Sequence, residues 1–213
     1  MELDQQLFPL NKKSTQKEPQ TWGYELRRQG VAPSVLSTMQ HAVDALHQAT
    51  LRAKKSVACL MWITDRPIVE IEKVLTQFGG SFDGAAGPVR SVATRSCDLL
   101  PTVARVAELL HPGLDLAERQ ARLLTRLELG VPGSLVDLAR LTGSRLTRGD
   151  YLRLYRAGLT SMEAIEDSSD EQLLQLLGAN EEKLGQVRQA TERHRREASE
   201  ITSSFPILPP YEP

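Results

Sequence analysis

Apolar residues in this chain recur at spacings of three and four from one end to the other, and no convincing run alternates apolar with polar over the length of a strand. A chain patterned this way buries its apolar stripes by packing helix on helix, so the expected fold class is all-α. Ser34 is placed to cap a helix on which Leu36, Met39, Val43, Leu46 and Ala49 make one stripe, continuing through Arg52 into the unbroken apolar stretch Val57 to Ile63. Pro67 suits the first turn of a second helix with Ile68, Ile71, Leu75 and Phe78 on one side, ended by Gly79-Gly80. About Pro88 to Leu110 reads as a third, which Pro101 is expected to kink or divide, and a fourth covers about 114–129 up to Gly130. Beyond it the helices shorten: Pro132 to Leu141, Thr147 to Ala157, Ser161 to Glu166, Asp170 to Leu177 and about Asn180 to Ala198, punctuated by Gly143, Gly158 and Gly178. The pattern divides the chain into a helical bundle over 22–129 and a small helical module over 130–200. Ser168 and Glu171 have the spacing of a capping box, and the last helix, highly charged and weakly apolar, is expected on the surface.

The two ends differ from this body. Residues 1–21 are polar apart from the knot Leu7-Phe8-Pro9-Leu10, too little apolar area to offset the entropy of ordering, so disorder is expected there. Residues 201–213 are proline-rich and read as an extended tail. The longest apolar patch is far short of the roughly 20 residues that span a bilayer, and no apolar stretch follows Met1, so no membrane role is expected. Cys59 and Cys97 fit buried thiols in a reducing, cytoplasmic setting. With 26 Lys and Arg against 27 Asp and Glu the chain is not a wholly basic nucleic-acid binder, but that balance leaves room for a local positive face.

Catalytic chemistry has no visible seat. There is no glycine-rich phosphate loop, the four histidines (His41, His47, His111, His194) are scattered, and no nucleophile, base and orienting acid stand at defensible spacing. No cofactor, no metal site and no enzyme activity are expected.

Two stretches carry a resemblance. Leu60-Met61-Trp62-Ile63, followed by Ile68-Val69-Glu70-Ile71-Glu72, resembles the accessory helical domain of Ski2-like superfamily 2 DNA helicases, where a Trp-containing helix precedes one opening with an Ile-Glu pattern. Leu124 to Val131, then Leu135 to Leu141 and Leu154-Tyr155-Arg156-Ala157-Gly158-Leu159, is similar to the passage from that domain into its helix-hairpin-helix module. The resemblance covers about 22–178 and implies a ratchet-like bundle beside a motor and a terminal module that meets single-stranded DNA. The two motor domains are missing from this sequence, so the resemblance implies at most an accessory half, acting on a separately encoded helicase or ATPase or independently, or else a fragment. The chain departs from the family hairpin by placing Arg145 and Thr147 where two glycines stand, which replaces backbone capture of a phosphate with side-chain contacts.

Between Ser134 and Gly158 five arginines, Arg140, Arg145, Arg148, Arg153 and Arg156, face only Asp137 and Asp150. Such a cluster near helix N-termini suits phosphate, with Arg145 and Arg148 expected to lead. Arg52, Lys54 and Lys55 form a smaller basic patch on the bundle. Trp62 is expected in the core, while Trp22 and Tyr24, bordering the polar head, are expected to be exposed. The acidic run Glu163, Glu166, Asp167, Asp170 and Glu171 repels phosphate and marks a side that DNA avoids. These features point to a non-catalytic accessory protein that binds single-stranded or forked DNA. The alternative is a protein-interaction scaffold without DNA contact, recruiting partners through Phe8 and through Phe205, Ile207, Leu208 and Tyr211.

Overall fold

The computed structural model describes residues 18–41, 46–76 and 86–204, and among them the chain is helical with no strand. It divides into two compact units, Met1–Gly133 and Ser134–Pro213, so the boundary falls a few residues beyond the expected Gly130.

The N-terminal unit contains α1 (Glu18–Arg28), α2 (Pro33–His41), α3 (Leu46–Trp62), α4 (Ile68–Leu75), α5 (Ala86–Leu110) and α6 (Ala117–Leu129). Its core is made of large apolar side chains: Trp22, Leu26, Val57, Met61, Trp62, Ile71, Leu75, Val89 and Leu127 are all buried. Trp62 was expected there and also serves as a clasp. Its indole N–H donates to the Leu127 carbonyl at 2.8 Å, and the Arg126 guanidinium donates back to the Ile63 carbonyl at 3.2 Å, so the ends of α3 and α6 hold one another. Gly130, left-handed at φ 67°, then closes α6 by donating to the Arg126 carbonyl.

Five expectations about this unit are corrected. Residues 18–21 are helical, since Trp22 needs a helix to carry it inward; it is wholly buried, where exposure was expected. Pro33 opens α2, which puts Ser34 inside the helix, with its carbonyl accepting from Thr38, and not at the cap. Pro67 precedes α4 as its cap residue, and Thr76 closes that helix; Phe78 and Gly79-Gly80 lie outside the described residues. Pro101 does not divide α5. It sits on the exposed side, and the burial of Val89, Val92 and Ala93 before it and Ala104 after it keeps both halves in one helix.

The C-terminal unit follows the short 3-10 turn Gly133–Leu135 with α7 (Val136–Thr142), α8 (Arg148–Arg156), α9 (Met162–Glu166), α10 (Asp170–Leu176) and α11 (Glu181–Ser204). Here the punctuation expected from sequence is largely observed, to within two residues at most ends. One exception is α11. It packs against α7, α9 and α10 and buries Val187, Ala190 and Thr191, so the charged helix is the spine of the unit rather than a surface appendage. It also runs to Ser204, making 201–204 helical where an extended tail was expected. The other exception is the cap of α10. Ser169, not Ser168, accepts the backbone N–H, from Gln172 at 3.2 Å, because the Ser168 hydroxyl is already committed to the Ile165 carbonyl at 2.6 Å. No helix among the described residues is long and apolar enough to cross a membrane.

Candidate nucleic-acid interface

The turn between α7 and α8 is built from a small set of polar anchors. Gly143 takes φ 56°, a left-handed value that a side chain would strain, and starts a 3-10 turn through Arg145. Behind it the Tyr151 hydroxyl donates to the Gly143 carbonyl at 2.7 Å and sits 2.7 Å from the Thr142 hydroxyl. Burial pushes the Tyr151 hydroxyl up to about 12, against the contact with Thr142, so it is a neutral donor at any ordinary pH. The next anchor is Thr147, whose side chain and backbone form a reciprocal capping box with Asp150.

Asp150 is fully buried, and its carboxylate accepts from the Thr147 N–H and hydroxyl at 2.7 Å each, from Lys183 Nζ at 2.8 Å, and from Arg153. Burial alone drives that carboxyl upward, but the bonds from Lys183 and Thr147 outweigh it and hold the group below the usual aspartate range. Asp150, charged at neutral pH, therefore ties α8 to α11 and fixes the turn that carries Arg145.

Arg145 projects from this turn, exposed, into a cleft of about 410 Å³ whose other wall is α11, contributing Gln186, Arg193 and Arg196. Three guanidinium groups thus line one opening. Arg193 and Arg196 pair with Glu197 and Glu192 at 2.8 and 2.6 Å, but these are exposed pairs one helical turn apart, worth little and readily exchanged for a stronger anion. One carbonyl-type oxygen, Gln186 Oε1, is buried in the same wall without a hydrogen-bond partner.

The other sequence candidates are distributed unevenly. Arg148 begins α8 half-buried, while Arg140 and Arg156 are exposed. Arg153 is committed to structure: besides Asp150 it donates to the Leu176 carbonyl, joining α8 to α10. On the N-terminal unit Lys54 is buried, its ammonium 5.4 Å from the centre of the Trp22 ring, so it is a core cation and not a surface contact. The Trp22 ring offers its negative face to that ammonium within the core. Arg52 is exposed and Lys55 half-buried, and both stand at the rim of an apolar groove with Arg95. Phe8, Phe205, Ile207, Leu208 and Tyr211 lie outside the described residues.

Sequence reasoning missed Arg193 and Arg196, although the Arg193-His194-Arg195-Arg196 run was there to be seen. It also missed Arg188, which donates to the carbonyls of Ile165, Glu166 and Ser168 and to Asp170, closing the loop between α9 and α10. No local pattern distinguishes it from a surface arginine. Cys59 and Cys97 are free thiols, both pushed upward chiefly by burial and so held protonated. Among the described residues no group of His, Cys, Asp and Glu is assembled to hold a metal ion. No known protein-family model matches this chain, and no curated protein matches it.

Proposed function

We propose that this chain is a non-catalytic accessory protein that binds the backbone of single-stranded or forked DNA through its C-terminal unit and works beside a separate helicase or ATPase. The observation that carries this reading is the convergence of Arg145, Arg193 and Arg196 on one open cleft, with Arg145 held out by a rigid turn. Guanidinium groups spaced along two elements suit successive phosphates, and a positioned backbone contact needs no base recognition. The arrangement supplies hold and register only; movement is the partner motor's.

Fluorescence anisotropy with labelled single-stranded, duplex and forked DNA between about 50 and 300 mM salt tests it. The expected result is micromolar, steeply salt-dependent binding that favours single strands or forks. Replacing Arg145, Arg193 and Arg196 by alanine weakens it at least tenfold and flattens the log–log salt slope by about 2, since each lost phosphate contact on a single strand contributes roughly 0.7. Absence of binding at 50 mM salt, or an unchanged triple variant, overturns the assignment.

A second reading, a protein scaffold without DNA contact, is favoured by one observation: the C-terminal unit carries ten Lys and Arg against thirteen Asp and Glu, and Glu163, Asp167, Asp170 and Glu171 are all exposed. That unit would take a basic protein surface, and its binding to such a partner would survive the arginine substitutions.

A further inference from the structure

The C-terminal half of α5 is an apolar ridge that no other described residue covers. Leu99, Val103, Val106 and Leu110 are 65, 61, 48 and 70% exposed, and Leu109 and Leu114 beside them are 65 and 40% exposed. Together with Val92 and Ser96 the first four follow the 4-3-4-3-4 spacing of a heptad seam over about 27 Å of helix. The ridge runs at its N-terminal end into an apolar groove of about 640 Å³, floored by Leu26, Leu60, Ile63 and Leu123 and sharing Leu99 with the ridge.

We infer that this face is a self-complementary interface, and that two copies of the chain pair antiparallel along α5, each seating the Leu109, Leu110 and Leu114 end of its ridge in the other's groove. Three features choose a second copy as the occupant. A two-fold contact needs knob and hole on the same surface, and this unit carries both, separated along one helix. The charges also favour the antiparallel sense. The groove is rimmed by Arg52, Lys55 and Arg95 with no acid among its lining residues, whereas the far end of the ridge leads to a mixed surface that carries the exposed acids Asp115 and Glu118 beside Arg119, with Glu118 paired to Arg122. Parallel pairing would set cation on cation. Finally, the six ridge side chains expose on the order of 400 Å² at roughly 120 Å² for each fully exposed chain. With the groove walls, two copies together bury on the order of 1,000 Å², about the least that a specific pair needs. The inference is independent of DNA binding, which is assigned to the other unit.

Sedimentation equilibrium of the full chain from about 1 to 100 µM tests the pairing. The expected mass rises to twice the 23.6 kDa of one chain within that range. Val103→Glu combined with Leu110→Glu, two exposed positions that folding does not need, keeps the chain monomeric throughout with unchanged circular dichroism and DNA affinity. Orientation is read from cross-linking in a Cys59→Ser, Cys97→Ser background, since the native free Cys97 would face position 110 of an antiparallel partner. In that background Val103→Cys, near the two-fold axis, forms a covalent dimer under mild oxidation that the background chain does not, and Leu110→Cys, about 20 Å from its own copy in an antiparallel pair, does not. A parent chain that stays monomeric to 100 µM overturns the inference, as does a glutamate variant that still dimerises. Efficient cross-linking through Leu110→Cys would overturn the antiparallel arrangement.

Discussion

The two units solve the same problem, burying helices in a short chain, by different means. The N-terminal unit fills its centre with Trp22, Trp62, Met61 and Ile71 and leaves apolar residues outside; among the described residues the large exposed hydrophobic ones, from Tyr24 to Leu114, all belong to it. The C-terminal unit uses shorter helices joined by polar clasps, Asp150 with Lys183 and Thr147, and Arg188 with three carbonyls, and its exposed surface is charged. A unit whose clasps are internal is complete as it stands. A unit that leaves a seam of leucine and valine on its longest helix is shaped for company, and its core must be correspondingly robust.

The comparison breaks first at Trp22. Trp22→Ala empties the centre of the N-terminal unit and removes the ring under the Lys54 ammonium, with an expected loss of about 3–5 kcal/mol, the usual range for a buried tryptophan. Urea unfolding followed by circular dichroism should show the transition of that unit shifted while the other holds. A loss below about 1 kcal/mol would mean that the apolar core is not what supports the unit.

The corresponding stroke on the C-terminal unit is Asp150→Ala, which strands Lys183 and Arg153 around an empty site. Breaking a buried pair costs about 3–5 kcal/mol, and because both cations reach water the lower end, about 3 kcal/mol, is expected. The pH dependence identifies the charge as the cause. The folded carboxyl titrates below its unfolded value, so its stabilisation is complete above about pH 5 and is lost as the pH falls through about 3.9 toward the lower folded value. Parent and variant should therefore differ by a constant amount from about pH 5 to 7, and the difference should shrink as the pH falls below about 4. A difference that does not shrink at all between about pH 5 and pH 3 would assign the loss to packing.

Most helix positions were legible in the sequence, and most so where local chemistry decides them. Gly143, Gly158 and Gly178 do take positive φ, and Ser161 does cap its helix, accepting from the Ala164 N–H at 3.2 Å. What failed needed knowledge of a distant partner. Trp22 looks exposed until α3 supplies Lys54, and α11 looks like a surface helix until α7, α9 and α10 close on its three buried positions. The candidate site was half legible for the same reason: five arginines between Ser134 and Gly158 could be counted, but whether each faced water or a backbone carbonyl depended on residues 20 or more positions away, as Arg153 and Leu176 show.

A smaller effect separates the polar anchors of the turn. Tyr151→Phe keeps the ring buried and removes the hydroxyl that Gly143 and Thr142 share, for an expected cost of about 1–2 kcal/mol including the carbonyl left without its donor. If the turn positions Arg145 for phosphate, DNA affinity of this variant should fall severalfold at a temperature where the unit is still folded. Unchanged affinity would show that Arg145 does not depend on the Tyr151 clasp.

The finest distinction lies at the start of α10, where neighbouring serines divide two tasks that sequence spacing assigned to one. Ser169→Ala removes the acceptor for the Gln172 N–H and should cost about 1 kcal/mol. Ser168→Ala removes a donor to the Ile165 carbonyl, which Arg188 also serves, so less than 1 kcal/mol is expected. Glu171 is the discriminating position. A capping box formed with Ser168 would make Glu171→Gln nearly silent, since glutamine can close the box, and Glu171→Ala costly. With Ser169 as the cap, Glu171 contributes only its charge near the helix N-terminus, so both substitutions should cost the same few tenths of a kcal/mol, equally reduced by salt. Thermal melts of the two Glu171 variants at 50 and 500 mM salt decide between the arrangements, and a clear penalty for alanine over glutamine would return the cap to Ser168.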